Sequence, residues 1–277
     1  MNFNVENMNV RQASNSGWVE KAARVGYAAK GVVYALIGGL AVAAVVGGAG
    51  DGQVGGGQEA VQTIGQQSFG QVLLVLTAIG LFGYSLWRFV QAYFDPEHAQ
   101  GDKAGTLKRI GYVASGAVHV MLGVAAIQMA TGSVGGSGGK TTYIRDLMLV
   151  DTIGPILVLA VGVFIIGFAL YQFYKAATAK FVSELKTHEM SRTAQTWVVR
   201  IARLGLAARA VVFSIIGVFV LKAAANTNPS QVKGVGGALH EIASQPFGAV
   251  LLVLVASGLA AYGAYQITLA KYRKIPA

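Results

Sequence analysis

A stretch of seventeen residues, 23–39 (ARVGYAAKGVVYALIGG), recurs twice in this chain and constrains its fold more than any other feature. The second copy, KRIGYVASGAVHVMLGV, begins at position 108, and the third, ARLGLAARAVVFSIIGV, begins at position 202. Each copy has an arginine with small residues seven and fourteen positions later, and a glycine two positions after the arginine. The arginines are Arg24, Arg109 and Arg203, and the small residues on the step of seven are Gly31, Gly116, Ala210, Gly38, Gly123 and Gly217. Because seven residues are nearly two turns of α-helix, these positions are predicted to share one helix face.

A second motif follows each copy at a nearly constant distance. It reads QSFGQVLLVL from position 67, DTIGPILVLA from position 151 and QPFGAVLLVL from position 245. The glycine of the first motif precedes that of the second by 44, 43 and 43 residues (26 to 70, 111 to 154 and 205 to 248). Spacing this regular indicates three copies of one structural unit.

The composition places these units in a membrane. The chain is 54% hydrophobic and 12% charged, about half the charge of a soluble domain, and its mean hydropathy is +0.53. Six apolar stretches are each long enough, at ~20 residues per helix, to cross a bilayer. They cover residues 26–47, 70–94, 111–131, 153–176, 205–225 and 248–270. We therefore predict an all-α membrane protein whose six transmembrane helices form three repeated hairpins with pseudo-threefold symmetry.

Basic residues cluster on alternate connections. Segments 1–30, 88–109, 175–209 and 271–277 contain 18 of the 22 Lys and Arg residues, so the positive-inside rule places both termini in the cytoplasm. The expected organisation is a mobile tail over 1–16, a first repeat over 17–100, a second over 101–180, and a third with its preceding cytoplasmic linker over 181–277. The glycine-rich turn after each odd-numbered helix must lie outside the lipid, and a short amphipathic helix at the interface is predicted to follow it.

The motifs resemble those of a known family. The AR-x-G-x-x-A-x-G start (23–31), the GL-x-x-Y run (80–84) and the QPFG-x-x-LL anchor (245–252) are similar to those of DUF1206, a bacterial three-repeat membrane family of unknown function. The similarity covers roughly residues 20–272. The middle copy departs most, with Lys108 in place of Ala and DTIG (151–154) in place of the anchor. The resemblance implies a bacterial inner-membrane protein and implies no activity.

The three repeated arginines, Arg24, Arg109 and Arg203, are candidate anion- or lipid-binding residues. Each is placed at the cytoplasmic N-terminus of a helix, where the helix dipole is already positive, so a cation is favourable there only near an anion. One hypothesis is a pseudo-threefold ring that binds a phosphate or carboxylate. The interpretation we favour is that each arginine contacts a lipid phosphate or a neighbouring helix's carbonyls and anchors the topology.

Lys30, Ser115 and Arg209 align with one another deeper in the three copies. Lys30 and Arg209 are further candidates for anion or lipid binding, with side chains expected to extend towards the headgroups. Ser115 is a candidate axial polar residue. His119 is a second axial candidate, because an ionisable group inside a membrane is a functional hypothesis by default. Its aligned partners are aromatic, which favours the alternative that His119 is simply a packed ring.

The sequence lacks the residues that several classes of activity require. No Asp or Glu falls within the six apolar stretches, whereas coupled pumps usually need an intramembrane carboxylate. The sequence has neither a convincing nucleotide-binding loop nor a plausible catalytic triad. Cysteine is absent, which excludes thiolate metal sites. We expect no enzyme, cofactor or metal site, and no nucleic-acid partner, because the basic residues follow a membrane topology.

Two functions remain as hypotheses. The favoured one is a non-catalytic accessory or scaffolding protein that contacts lipid phosphates and membrane partners, including a second copy of itself. The alternative is a passive channel or carrier for a small, anionic solute along the pseudo-threefold axis. An axial cavity lined by Lys30, Ser115, Arg209 and His119 would favour transport, whereas an apolar axis, or one filled by lipid tails, would favour the scaffold.

Overall fold

The computed structural model of the chain describes residues 17–46, 70–94, 103–131 and 153–274. The predicted tail over 1–16 lies outside these residues. So do the first two glycine-rich turns and the short interfacial helices predicted to follow them.

Helices make up nearly all of the described chain. They are α1 (Gly17–Val46), α2 (Gly70–Phe94), α3 (Lys103–Ala130), α4 (Ile153–Thr178), α5 (Arg192–Ala225), α6 (Val235–Ala243) and α7 (Gly248–Tyr272). All except α6 are long and apolar enough to cross a membrane. Within the described ranges the only strand-like pairing is an isolated bridge between Leu185 and Arg273. The predicted all-α fold with six membrane-crossing helices is confirmed.

The six long helices form a ring in chain order, with neighbours antiparallel. Gly116 of α3 lies against Phe89 of α2, and Gly123 of α3 lies against Phe82 of α2. A step of seven residues forward along α3 therefore matches a step of seven residues back along α2, so the two helices are antiparallel. α7 packs on both α5 and α1, which joins the third repeat to the first. The three most extensive interfaces, α1–α7, α2–α3 and α4–α5, each join one repeat to the next. The repeats are therefore arranged cyclically around a common centre.

The small residues on the step of seven form these interfaces between repeats. A Cβ atom added at Gly31 or Gly38 of α1 would meet the backbone of α7, and one added at Gly217 of α5 would meet Ile166 of α4. Small residues let membrane helices approach closely. The close approach gains packing contacts, which matter in lipid because the hydrophobic effect does not drive helices together there.

A second close contact joins the two helices of the first repeat and of the third. Gly26 of α1 lies so near Tyr84 of α2 that a Cβ atom would overlap the tyrosine backbone, and Gly205 of α5 stands in the same relation to Tyr262 of α7. Gly111, the equivalent residue of α3, faces open space, with nothing within 4 Å of an added Cβ. In agreement, α3 and α4 do not form a packed pair over their described residues. The second repeat is an open hairpin.

One difference between the repeats explains why this hairpin is open. Gly80 in α2 and Gly258 in α7 occupy equivalent positions, where an added Cβ would collide with Ala29 and Ala208 respectively. The equivalent residue of α4 is Phe164. A benzyl group cannot occupy a space that has no room for a methyl group. α4 is therefore prevented from approaching α3 as closely as α2 approaches α1.

The connection between α4 and α5 lies at one end of the ring. Residues 180–184 and 187–189 form two 3-10 turns there. The Lys186 N–H donates to the Tyr272 carbonyl and the Lys274 N–H donates to the Glu184 carbonyl, which joins the connection to the end of α7. We call this end, which also contains Arg24 and Arg203, the basic end.

Apolar side chains fill the half of the ring away from the basic end. Ile37, Leu252 and Leu259 belong to a buried cluster there, together with Leu239 and Ile242 of the short helix α6. α6 is the described member of the three predicted interfacial helices. Its apolar residues pack against this cluster.

The contrast between the repeats predicts unequal effects of the same substitution. Gly26→Ala and Gly205→Ala should each destabilise the protein by about 1–3 kcal/mol, because a methyl group would be forced against a tyrosine backbone. Gly111→Ala should be neutral or stabilising by about 0.5–1 kcal/mol, since alanine favours a helix interior and meets no neighbour. Thermal unfolding of the purified variants in one detergent measures this, and equal losses at all three positions would contradict the open hairpin.

Candidate ligand-binding cavity

A cavity of about 1090 Å³ lies between α3 and α4 and extends to the centre of the ring. It follows from the open hairpin, because Gly111 of α3 and Gly167 of α4 both line it and both face open space. Pockets for drug-sized ligands are about 300–1,000 Å³, so the cavity has room for a ligand of that size or larger. The described basic residues that line it are Lys30, Arg88, Lys175, Lys180, Arg209, Arg273 and Lys274. The acid among the described lining residues is Glu184.

Lys30 is a buried cation on α1, only 1% exposed. Its Nζ donates a hydrogen bond to the Tyr84 hydroxyl at 2.7 Å and lies 4.3 Å from the centre of the same ring. The close approach of α1 to α2 at Gly26 places the two side chains together. A cation over an aromatic face is stabilised when it is desolvated.

Arg88 brings a second cation to the same hydroxyl group. Its Nε donates to the Tyr84 hydroxyl at 2.7 Å, and its Nη1 donates to Gln91 Oε1 at 2.8 Å. Tyr84 therefore accepts hydrogen bonds from two positively charged side chains.

Arg209 of α5 is the equivalent of Lys30 in the third repeat and is 8% exposed. Its Nη1 donates to the Tyr262 hydroxyl at 3.0 Å and its Nε donates to the Tyr34 hydroxyl at 3.2 Å. The rings of Phe168 and Phe213 also lie about its guanidinium, at 5.3 and 4.8 Å from ring centre to Cζ. The first and third repeats thus carry the same pair of a cation and a tyrosine, whereas the second has Ser115 and Phe168 at those positions.

Among the described residues, the three central cations, Lys30, Arg88 and Arg209, have no carboxylate within ion-pair distance. The charged pairs in the described chain are held elsewhere, such as Arg24 with Glu20 and Lys233 with Glu241. Burying a charge is costly unless it is paired. An uncompensated group of three cations beside a cavity is therefore an arrangement that an anion would stabilise.

Glu184 lies where the cavity reaches the basic end, and both of its oxygens are engaged. Oε1 accepts from Lys175 Nζ and Oε2 accepts from Arg273 Nη1, each at 2.7 Å. Burial by itself would raise the pKa of this carboxyl, but the charges of Arg273 and Lys175 outweigh burial and lower the pKa to about 2. Glu184 is therefore ionised at neutral pH and pairs directly with two outer cations, Lys175 and Arg273. The charge of Arg88 also lowers its pKa, but from beyond ion-pair distance.

Ser115 and His119 of α3 lie one helical turn apart. His119 Nδ1 is 2.7 Å from the Ser115 carbonyl oxygen, and the imidazole lies 4.6 Å from the Tyr84 ring. Ser115 lines the cavity, whereas His119 is not among its described lining residues. His119 has the contacts of a packed ring, and its predicted role as an axial polar residue stays a prediction.

The repeated arginines lie on the basic end and do not converge on the cavity. Arg24 Nη1 donates to the carbonyl oxygens of Ala270 and Lys271 at the end of α7, at 2.7 and 2.6 Å. Arg203 Nη2 donates to the Ala177 carbonyl at the end of α4, at 3.3 Å. Arg109 is exposed on α3. The first two contacts have the geometry of the anchor hypothesis, in which an arginine binds a neighbouring helix's last carbonyls.

One family model matches the chain three times. It is described as Domain of Unknown Function (DUF1206) and covers residues 25–95, 110–179 and 204–273. The chain belongs to the DUF1206 family. A relative from Bacillus subtilis (strain 168), described as "Uncharacterized protein YxxB", is 34% identical over 252 residues, which make up 90% of each chain. No solved structure matches the chain. The family resemblance and the threefold repetition inferred from the motifs are confirmed.

Several residues of the cavity in this DUF1206 protein were not among the candidates from the sequence. Tyr84, Tyr262 and Arg88 are among them. Glu184 and Arg273 were not singled out. The signal that could have located the cavity is Phe164, which stands where the other repeats have glycine.

The ion pairs of Glu184 make a testable contribution to stability. Glu184→Gln should cost about 3 kcal/mol at neutral pH, because it removes the negative charge that pairs with buried Arg273. A lowered pKa stabilises the fold above the ordinary value of 4.5, and that contribution is lost as the pH falls towards about 2. The melting temperatures of the two proteins should therefore converge between pH 4.5 and pH 2.

Glu189→Gln is the matched control for this variant. Glu189 pairs with Lys186 at 3.5 Å on the same connection, but its side chain is 45% exposed. An exposed pair contributes about 0–1 kcal/mol, so the control should melt close to the parent protein. If both variants melt alike at neutral pH, the Glu184 pairs do not stabilise the connection.

Proposed function

We propose that this DUF1206 protein is a non-catalytic membrane protein that holds a phosphate-bearing anionic lipid in the cavity. The observation that carries the proposal is a group of three cations, Lys30, Arg88 and Arg209. They line the cavity and have no carboxylate partner in the described part of the chain. Hydrogen bonds from Lys or Arg to phosphate are stronger than those between neutral groups. A lipid phosphate would supply the negative charge that the described chain does not.

The position of these cations suits a lipid drawn into the protein. Lys30 and Arg209 lie six residues beyond Arg24 and Arg203 on their helices, which is about 9 Å deeper at ~1.5 Å per residue. The anchor arginines engage helix ends at the basic end, so the central cations lie below that level. A headgroup bound to them would be held inside the ring and not merely attracted to its surface.

The described residues that pack together in the far half of the ring are apolar. The buried cluster that contains Ile37, Leu252 and Leu259 lies there among α1, α5, α6 and α7. A channel needs a polar path through both halves, and a binding site does not. The cavity does contain three of the four residues named as a criterion for transport, Lys30, Ser115 and Arg209. The apolar packing of the described far half favours retention of a ligand over free passage.

The membrane and orientation are part of the proposal. We place the protein in a bacterial inner membrane with the basic end and both termini in the cytoplasm. The support is the basic composition of the connection between α4 and α5, which follows the positive-inside rule. It also puts the cations on the side where an anionic leaflet attracts basic segments.

The alternative function is a carrier for a small anionic solute. One observation favours it: the cavity reaches the surface at the basic end, where the exposed residues Lys180, Ser183 and Lys274 line it. Uptake of radiolabelled phosphate into proteoliposomes tests this function. Saturable uptake that is lost in Arg209→Met would favour the carrier, and uptake equal to that of empty liposomes would count against it.

The lipid proposal is tested by what stays bound. Purified protein is reconstituted in phosphatidylcholine nanodiscs containing phosphatidic acid, and the retained lipid is measured by native mass spectrometry after detergent extraction. Lys30→Met and Arg209→Met should each reduce retention about tenfold or more, because a charged hydrogen bond is worth about 1.5–3 kcal/mol. Replacing an unpaired buried cation by an apolar side chain is not expected to lower the melting temperature.

Two further variants serve as controls. Arg200→Met removes an exposed charge from the same helix as Arg209 and should leave retention unchanged. The combined change of Arg24, Arg109 and Arg203 to Gln tests the ring hypothesis; it should lower stability more than retention, because two of these side chains bind helix carbonyls. Loss of phosphatidic acid from the triple variant alone, with normal retention by Lys30→Met and Arg209→Met, would overturn the cavity assignment.

A further inference from the structure

We infer that the gap between α3 and α4 is a lateral opening through which the ligand enters from the bilayer, with its apolar chain lying in the gap. The ligand class is then an amphiphile with a phosphate-bearing head and a long hydrocarbon chain, supplied by the membrane and not by the water. This inference rests on the proposed function, because it needs the central cations to hold the head. It adds the route of access and the apolar part of the ligand.

The opening is specific to one repeat. In the first and third repeats, the backbone contacts Gly26–Tyr84 and Gly205–Tyr262 close the space between the two helices. In the second, Gly111 and Gly167 have nothing within 4 Å of an added Cβ, and both line the cavity. The ring therefore has one side at which the described helices leave the central cations accessible from the membrane plane.

The walls of the cavity change from charged to apolar towards this opening. The central end carries Lys30, Arg88 and Arg209, while α4 contributes Ala160, Val163 and Phe164. Val163 is 59% exposed although it lies in the middle of a membrane-crossing helix. A cavity with cations inside and hydrocarbon at its rim matches a molecule with a charged head and an apolar tail.

The cavity has a second opening of different chemistry. Lys180, Ser183 and Lys274 line it where it reaches the basic end, and all three are exposed. A small anion can reach the central cations from this side, whereas a hydrocarbon chain would have to pass polar and charged groups there. The two openings therefore distinguish a lipid from a soluble anion of the same head chemistry.

Substitution of the open-space glycines tests the lateral route. Gly111→Phe and Gly167→Phe place a ring in the gap without a clash at the Cβ position, so the fold is expected to persist. Two probes are measured on the full chain: phosphatidic acid retained from phosphatidylcholine nanodiscs, and inorganic phosphate bound in detergent solution by calorimetry. Both variants should lose at least tenfold in phosphatidic acid retention and bind inorganic phosphate as the parent protein does.

Gly39→Phe is the matched control. Gly39 is on α1, is exposed, and also has nothing within 4 Å of an added Cβ, but it does not line the cavity. It should bind both probes normally. If the gap variants retain phosphatidic acid like the control, or lose both probes together, the lateral route is wrong. If the parent protein binds neither probe, the proposed function fails and the inference fails with it.

Discussion

Backbone approach at two glycines determines the shape of this protein. Gly26 and Gly205 let α1 and α5 lie directly on the backbones of Tyr84 and Tyr262, and these contacts close the first and third repeats. A side chain of any size would hold the helices apart. The second repeat retains its glycine at position 111 but has Phe164 on the facing helix, so the same approach is blocked. One bulky residue thus converts a closed ring of three equal units into a ring with a cavity on one side.

The cations at the centre depend on the same contacts. Lys30 reaches the hydroxyl of Tyr84, and Arg209 that of Tyr262, because each pair belongs to two helices that touch at a glycine. The phenol oxygens accept these hydrogen bonds, and no described carboxylate lies within ion-pair distance of the cations. In a medium of low dielectric constant such a charge interacts strongly with any anion that enters. The closed repeats hold the cations in place, and the open repeat leaves the space beside them.

The sequence predicted the helices and their repetition well, because both depend on local properties. A run of ~20 apolar residues forms a helix across a bilayer. The regular spacing of the glycines indicates three repeated units. Lys30, Ser115 and Arg209 were also aligned correctly by the repeat. The sequence did not predict that Lys30 and Arg209 would turn inward, since a long basic side chain near a membrane surface more often extends to the headgroups.

By itself, the sequence determined the number of membrane-crossing helices, their threefold repetition and the faces on which small residues recur, since these follow from hydropathy and helix period. Only the tertiary structure decided that the arginines Arg24 and Arg203 bind helix ends, that Tyr84 serves two cations, and that the second repeat is open. These features depend on distances between helices. These distances are set by which side chains meet across an interface. The order of residues along the chain does not show which side chains meet.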